Sequence, residues 1–200
     1  MTEKETPSFS FLSWNLCLLQ NSYSAPASWR IDQAEAAVRE LVLELDPDFV
    51  FFQELPGMVP FVETHDLIPS NTISHSGTIA TIAKKELMER LESKAIGRFA
   101  ILTSIKDADL SFANVHLEPG RNGDFKRLQM LNQTIQSCPS RNLVVAGDTN
   151  TRVEEEASLA SIGLSGERPP GRHGTRDATG SAKTDEPTPA TTPDTFIRRT

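Results

Sequence analysis

Cysteine is scarce: Cys17 and Cys138 are the only two in 200 residues. Two cysteines cannot build a disulfide framework, so a reducing interior is the expected setting. Long apolar runs are absent too. Nothing approaches the roughly 18 residues of a membrane span, and the start, M-T-E-K-E-T-P, lacks a signal peptide's apolar centre. The expected location is therefore intracellular, in the cytoplasm. An excess of positive charge is also missing. The net charge of −7 excludes a general nucleic-acid coat. It does not exclude a phosphate site, because a bound divalent cation brings its own positive charge. Neither cysteine lies near a histidine at ligand spacing, which removes structural zinc. No internal repeat is present. What remains is a composition near globular averages, 38% hydrophobic and 24% charged, at a length that suits one domain. Wholesale disorder and a coiled coil are both excluded.

Along the chain, residues 1–8 are polar and expected to be disordered. Phe9 to Leu16 reads as a strand that stops at the polar loop N-S-Y-S-A-P-A-S. Ile31, Ala34, Val38, Leu41 and Leu45 recur at helical spacing, so the pattern predicts an amphipathic helix over 31–45, ended by Pro47. Asp48 to Gln53 is a short apolar run, read as a buried strand, and Gly57 to Thr64 as a short helix. Ser76 to Ala83 and Arg98 to Ile105 read as strands, with K-K-E-L-M-E-R-L-E between them as a helix or long connection. Leu110 to Leu117 alternates cleanly. Phe125, Leu128, Asn132 and Ile135 then give a helical stripe, and Asn142 to Ala146 is another buried strand closed by Gly147. The mixture predicts a sheet-on-sheet core with helices packed outside. From Ser165 to Thr200 the only large apolar side chains are Phe196 and Ile197, so that stretch is expected to be mostly loop or tail.

Four of the expected strands finish in polar residues that a core would not ask for. Ser13-Trp14-Asn15 closes the first, Gln53-Glu54 the second, Asn114-Val115-His116 the third, and Gly147-Asp148-Thr149-Asn150 the fourth. Gathered at one sheet mouth, these groups would suit a hard divalent cation with oxygen ligands, typically magnesium. Each also has a plain structural reading. Asn15 could cap a turn, Asp148 and Asn150 could form an Asx-turn, Glu54 could be a solvated loop acid, and His116 a satisfied core histidine. The recurrence of one departure at four strand ends favours the shared site.

The strings S-W-N-L (13–16), D-F-V-F-F-Q-E-L (48–55), N-V-H-L-E (114–118) and L-V-V-A-G-D-T-N-T-R (143–152) resemble the endonuclease/exonuclease/phosphatase superfamily, in order and in spacing. G-R-F-A-I-L-T-S-I (97–105) is similar to the family's central hairpin. H-L-E-P-G-R followed by K-R-L-Q, with G-D-T-N-T-R, looks most like the 5′-tyrosyl-DNA phosphodiesterase branch. The resemblance implies an α/β fold: a two-sheet mixed sandwich flanked by helices, four layers in all, over residues 9–164. It implies Glu54 as metal ligand and Asn15 as a residue placing metal and scissile phosphate. Asp148 would orient or deprotonate the attacking water, Asn150 would be its partner at the phosphate, and His116 would lie near the scissile phosphate. In the branch named, Arg121 and Arg152 would line the nucleic-acid path. The implied cofactor is Mg2+, with Mn2+ as a substitute. The implied partner is a phosphodiester substrate, DNA ends or other nucleic acid or a phosphorylated small molecule, met by a monomer.

Two departures accompany the resemblance. Cys17 stands where the branch has an acidic residue, two places after the first-strand asparagine. The family's closing Asp-His pair has no counterpart: His65 precedes its Asp and lies early, and His173 sits in G-R-H-G-T-R. T-T-P-D-T-F-I-R-R (191–199) is similar to a degraded form of the family's Thr-Trp-Asp segment. The sandwich is therefore expected to be incomplete at its C-terminal edge, with 165–200 a remnant. The functional expectation is a magnesium-dependent phosphodiesterase or phosphatase. The alternative is an inactive phosphate-binding module. A glycosidase using Glu54 and Asp148 ranks third, because such a site does not call for paired asparagines.

Overall fold

A computed structural model describes residues 8–16, 31–55, 62–69, 72–74, 77–167 and 196–199. The chain enters through strand β1 (Phe11–Asn15) and continues with helix α1 (Ile31–Leu45), the span that the apolar spacing predicts. Asp46, at φ 43°, ends the helix one residue before Pro47, and its N–H closes on Val42 O at 2.9 Å. Strands β2 (Phe49–Leu55), β3 (His65–Leu67), β4 (Thr72–Ser74) and β5 (Gly77–Lys84) follow. A 3-10 turn at Lys85–Arg90 then leads into β6 (Leu91–Ile96), β7 (Ala100–Ile105) and β8 (Leu110–His116). Helix α2 (Asp124–Ser137), β9 (Asn142–Asp148), helix α3 (Glu156–Ser161), β10 (Leu164–Glu167) and β11 (Phe196–Arg199) complete the described chain.

The strands make two mixed sheets. One has the order β1-β2-β5-β3 with β4 also paired to β5, and the other runs β10-β11-β9-β8-β7-β6. Within them β1 and β2 are parallel, as are β8 and β9. Period-two alternation sorts the side chains into layers. Phe11 on β1, Phe49 and Phe51 on β2, Phe112 on β8 and Ala146 on β9 meet between the sheets. Phe49 and Phe112 lie with ring centroids 4.8 Å apart. The opposite face of the first sheet, with Val50, Phe52, Ala80 and Ile82, packs on Val38 and Val42 of α1. The opposite face of the second, with Ala113, Val115, Leu143 and Val145, packs on Leu131 of α2 and Leu159 of α3. The result is four layers: helix, sheet, sheet, helices.

Some expectations need correction. The charged K-K-E-L-M-E-R-L-E segment, read as a helix or a long connection, is a 3-10 helix over Lys85–Arg90, and its last two residues open the edge strand β6. Charges are tolerated there, since an edge strand exposes one side to water. The α2 stripe is only partly right from sequence: Ile135 packs against the core, but Phe125 and Asn132 face outward. Arg127, Leu131 and Thr134 are buried, whereas Phe125 is 67% exposed. A pattern that assigns arginine to water shifts the face by one position. The stretch from Ser165 onward, expected to be loop, has strands in its described parts: β10 ends at Glu167, and β11 pairs antiparallel with both β10 and β9. Phe196 and Ile197, its only large apolar residues, fall inside β11. Residues 168–195, with His173, lie outside the described residues, as do residues 1–7, Cys17 and Gly57 to Phe61. The described remainder of the helix expected at 57–64 is irregular at Val62 and a turn at Glu63–Thr64.

Candidate functional site

The inward-facing rows of four strands change character along their length. On β1 the row reads Phe11, Ser13, Asn15; on β2 Phe49, Phe51, Gln53; on β8 Phe112, Asn114, His116; on β9 Val144, Ala146, Asp148. Each row begins apolar, and three of them pass through a small or amide side chain before ending in Asn15, His116 or Asp148. Because β1 runs parallel to β2 and β8 parallel to β9, these endings emerge together.

Glu54 joins them through a bulge. The β2–β5 register shifts between Phe52 and Leu55, and Glu54 adopts φ 53°. Regular alternation would send Glu54 to the α1 side with Val50 and Phe52. The extra residue instead keeps it on the inter-sheet side, while Leu55 returns to the α1 cluster. One ligand atom from each of Glu54, His116 and Asp148 then lies within 4.8 Å of the others.

Asn15 bridges the two acids. Its Nδ2 donates to Asp148 Oδ2 at 2.7 Å and to Glu54 Oε1 at 3.3 Å. His116 Nε2 lies 3.3 Å from Glu54 Oε1 and 3.9 Å from Asp148 Oδ2. The imidazole is almost fully buried, whereas the carboxylates of Glu54 and Asp148 are 20% and 27% exposed, so the site opens to water on its acid side. Asp148 Oδ1 accepts the backbone N–H of Asn150 at 3.0 Å. Asn150, at φ 49°, donates its side-chain amide to Leu117 O at 3.0 Å. The loop after β9 is thereby tied to the loop after β8.

Of the residues singled out from sequence, Asn15, Glu54, His116, Asp148 and Asn150 come together. Asn15 presents its NH2 to both carboxylates, so it acts as a donor between them, and metal ligation through Oδ1 would need the amide turned over. Arg152 is half-buried in the loop after β9, and the backbone of Arg121 opens a short turn before α2. Neither is brought into the cluster by a described contact. His65 lies elsewhere, with Nε2 at 2.7 Å from Pro47 O and Nδ1 at 2.8 Å from Thr64 Oγ1.

Two further features carry the site without being assigned any role from sequence. Gln53 and Asn114, both fully buried, hydrogen-bond across the sheets at 2.7 Å directly beneath the cluster. Arg127 is a buried cation on α2. It donates to Glu155 at 2.9 Å from Nε and again from Nη2, and to the carbonyls of Glu118 and Gly120 at 2.8 and 2.9 Å. It thus holds the loops after β8 and β9 together at the site's rim. Placing polar residues on one inward row would have found the first pair. Arg127 stands in the K-R-L-Q string, but nothing in the sequence gives it this role.

No protein-family model matches the sequence, and no curated protein matches it. Solved structures do match. TDP2 of D. rerio, complexed with a single-strand DNA product, has a TM-score of 0.59 at 18% identity, with 96% of this chain and 83% of that one covered. The fold is that of the endonuclease/exonuclease/phosphatase superfamily, the DNase I-like sandwich. The endonuclease domain of TRAS1, a telomere-specific non-LTR retrotransposon, shares it at TM-score 0.53 and 18% identity, covering 79% of this chain and 74% of that one. The human Nocturnin catalytic domain, with a bound sulfate anion, shares it at 0.53 and 16%, covering 96% and 81%. At these identities the likeness is one of fold, and function has to be argued from the site. Among the described residues no helix is long and apolar enough to cross a membrane.

Proposed function

We propose that the chain is a divalent-metal-dependent hydrolase of phosphoester bonds, acting on nucleic acid such as DNA ends or on a phosphorylated small molecule. The observation that carries this reading is the convergence of Glu54, His116 and Asp148 at the end of two facing sheets. Two carboxylates and one imidazole fit a divalent cation that favours oxygen, magnesium first and manganese as a substitute. Magnesium held on Glu54, joined by Asn15 Oδ1 if that amide turns over, would neutralise phosphate oxygens as a Lewis acid. It would also reconcile a chain of net charge −7 with an anionic substrate.

The protein's own groups then divide the work. Asp148 is fixed at both oxygens, by the Asn15 amide and the Asn150 N–H. A carboxylate so oriented is placed to direct water at phosphorus and to take its proton. His116 offers a donor at the phosphate, where negative charge grows as the P–O bond to the leaving group breaks. Asn15 and Asn150 can touch phosphate without repelling it. Arg121 and Arg152, on the loops flanking the cluster, would line the path of the nucleic acid. No covalent nucleophile is required.

A second reading, a module that binds phosphodiesters without turning them over, is favoured by one observation: the cluster holds a single histidine among the described residues. Assay of the purified chain on bis-p-nitrophenyl phosphate and on a 5′-phosphotyrosyl oligonucleotide, with magnesium and with EDTA, separates the two. The hydrolase reading expects magnesium-dependent turnover that Asp148→Asn reduces at least about 100-fold. Magnesium-dependent binding with no turnover in the wild type selects the inactive module. Turnover that survives EDTA and Asp148→Asn would remove this site from the reaction altogether.

A further inference from the structure

None of the roles proposed above uses Asn114, yet it is fully buried between the sheets. Its amide is engaged with the opposite sheet. Nδ2 lies 2.8 Å from Ala80 O, 3.1 Å from Thr81 Oγ1 and 3.3 Å from Phe52 O, while Oδ1 accepts from Gln53 Nε2 at 2.7 Å. Phe52 and Ala80 are the last regular pair of β2 and β5 before the register shift. A side chain from one sheet therefore grips both carbonyls at the point where the ladder of the other sheet breaks.

That break is what delivers Glu54. A non-glycine residue at φ 53° is a strained conformation, and such residues persist only where the surroundings over-determine them. Regular pairing through this point would relieve the strain and move Glu54 to the wrong face. Asn114 supplies the counterweight, because its NH2 answers the carbonyls in their bulged positions. Gln53 extends the grip: its Nε2 also lies 3.3 Å from Phe51 O and 3.4 Å from Ser13 Oγ, and its Cα pairs with that of Asn15. A layer chosen for stability alone would be apolar, like the phenylalanine layer beneath it. Gln53 Oε1 is buried with no hydrogen-bond partner among the described residues, so this layer carries a desolvation cost.

We propose that Asn114, together with Gln53, is a positioning residue of the strand-end site, pinning the β2 bulge and so holding Glu54 against His116 and Asp148. The proposal rests on the metal-site reading and adds the device that assembles the site from two sheets.

The test compares Asn114→Leu and Asn114→Asp with Ser111→Ala in the full chain. The aspartate keeps shape and acceptor but removes both donors. Ser111 is buried on the same strand, but it bonds Ser104 and Ser140, away from the amide layer. Mn2+ affinity is measured by calorimetric titration well below each variant's melting temperature, and a crystal structure is determined for a folded Asn114 variant. The expected result is a loss of about 10- to 100-fold in Mn2+ affinity for the Asn114 variants, as for other residues that orient ligands from behind. Ser111→Ala should keep wild-type affinity even where it melts earlier, and Glu54 should have left His116 in the crystal. Wild-type affinity in the Asn114 variants overturns the proposal, as does a crystal in which Glu54 still meets His116. If the wild type itself binds no Mn2+, the metal reading fails, and the crystal structure alone decides whether Asn114 places Glu54. Should Asn114→Leu fail to fold, Asn114→Asp and Gln53→Met carry the same comparison.

Discussion

Gly147 shows how little freedom single residues have where the strands meet the site. It sits at φ 123°, paired in parallel with Val115, between the core residue Ala146 and Asp148. A Cβ there would lie 2.2 Å from Val115 O and 2.9 Å from Val115 N. Those atoms are backbone, so no rotamer change can make room. Gly147→Ala meets both a strained φ and a steric clash, and is expected to cost about 3 kcal/mol or more. Equilibrium urea unfolding reads this directly, and a loss under about 1 kcal/mol would show that β8 and β9 can part to accept a methyl group. Asp148→Asn is the contrasting case. Its carboxylate is partly exposed, and an amide oxygen can still accept the Asn150 N–H. Stability should stay within about 1 kcal/mol while the proposed activity disappears. Equal losses of both would make Asp148 a structural residue rather than the group that directs water.

At the scale of elements, the helices show which patterns a sequence can carry. Helix α1 follows the apolar spacing more closely, because its inward residues are aliphatic: Val38 of the stripe is buried and Val42 joins it, while Leu45 at the helix end is 54% exposed. Helix α2 breaks the same rule because one of its inward positions is Arg127, whose charge is met by Glu155, 28 residues away. Such a pair is invisible until the loops are in place. Arg127→Met, which leaves the Glu155 carboxylate without its partner at a mostly covered position, should cost about 3 kcal/mol. Phe125→Ala should change stability by less than about 0.5 kcal/mol, since that ring is largely in water. Melting both variants tests the corrected face of α2, and the reverse order would restore the stripe read from sequence. The same logic explains the strands. Apolar runs such as Phe49–Phe52 and Leu143–Ala146 announce themselves, whereas the short β3 and β4 and the charged edge β6 depend on neighbours for their pairing. The site was legible because its residues stand at strand ends with no core reason to be polar. Gln53 and Asn114 were legible as polar departures on inward rows, but the bond between them was not, because it exists only once two sheets face each other.

The corner that follows α1 adds a pH dependence. Lys84 on β5 lies 2.9 Å from Asp46 and 3.5 Å from Asp48. The hydrogen bond to Asp46 is the main cause holding its ammonium above the usual value of 10.5, against the opposing effect of burial. A pKa raised on folding means that the folded state binds the proton more tightly. The stabilisation is therefore complete below pH 10.5 and fades as pH climbs through the higher folded value. Lys84→Met should be less stable than wild type at pH 8, and the gap should narrow above pH 11. Urea midpoints at the two pH values check this, and a gap that widens with pH would contradict the pairing.

For the molecule as a whole, the position of the site matters more than any single contact. Asn15 and Glu54 belong to one sheet, His116 and Asp148 to the other, so the cluster sits across the seam of the sandwich. Below it the seam is held by the phenylalanine layer and the Gln53–Asn114 bond, while at the site itself two carboxylates face each other across it. A cation bound there would join the sheets across that pair of like charges, beside the Asn15–Asp148 bond, and anything that binds only the folded state adds RT ln(1 + [L]/Kd) to its stability. At 100-fold excess over Kd that is about 2.7 kcal/mol, which for a chain near 200 residues corresponds to a rise in melting temperature of roughly 5–10 °C. Thermal unfolding across a magnesium or manganese series should show this rise in the wild type and its reversal by EDTA. Glu54→Gln should be insensitive to the cation, and it should melt at or above the metal-free wild type, because one of two facing negative charges has gone. A rise of equal size in that variant would mean that the cation binds elsewhere on an acidic surface. The seam would then have to be closed by protein contacts alone.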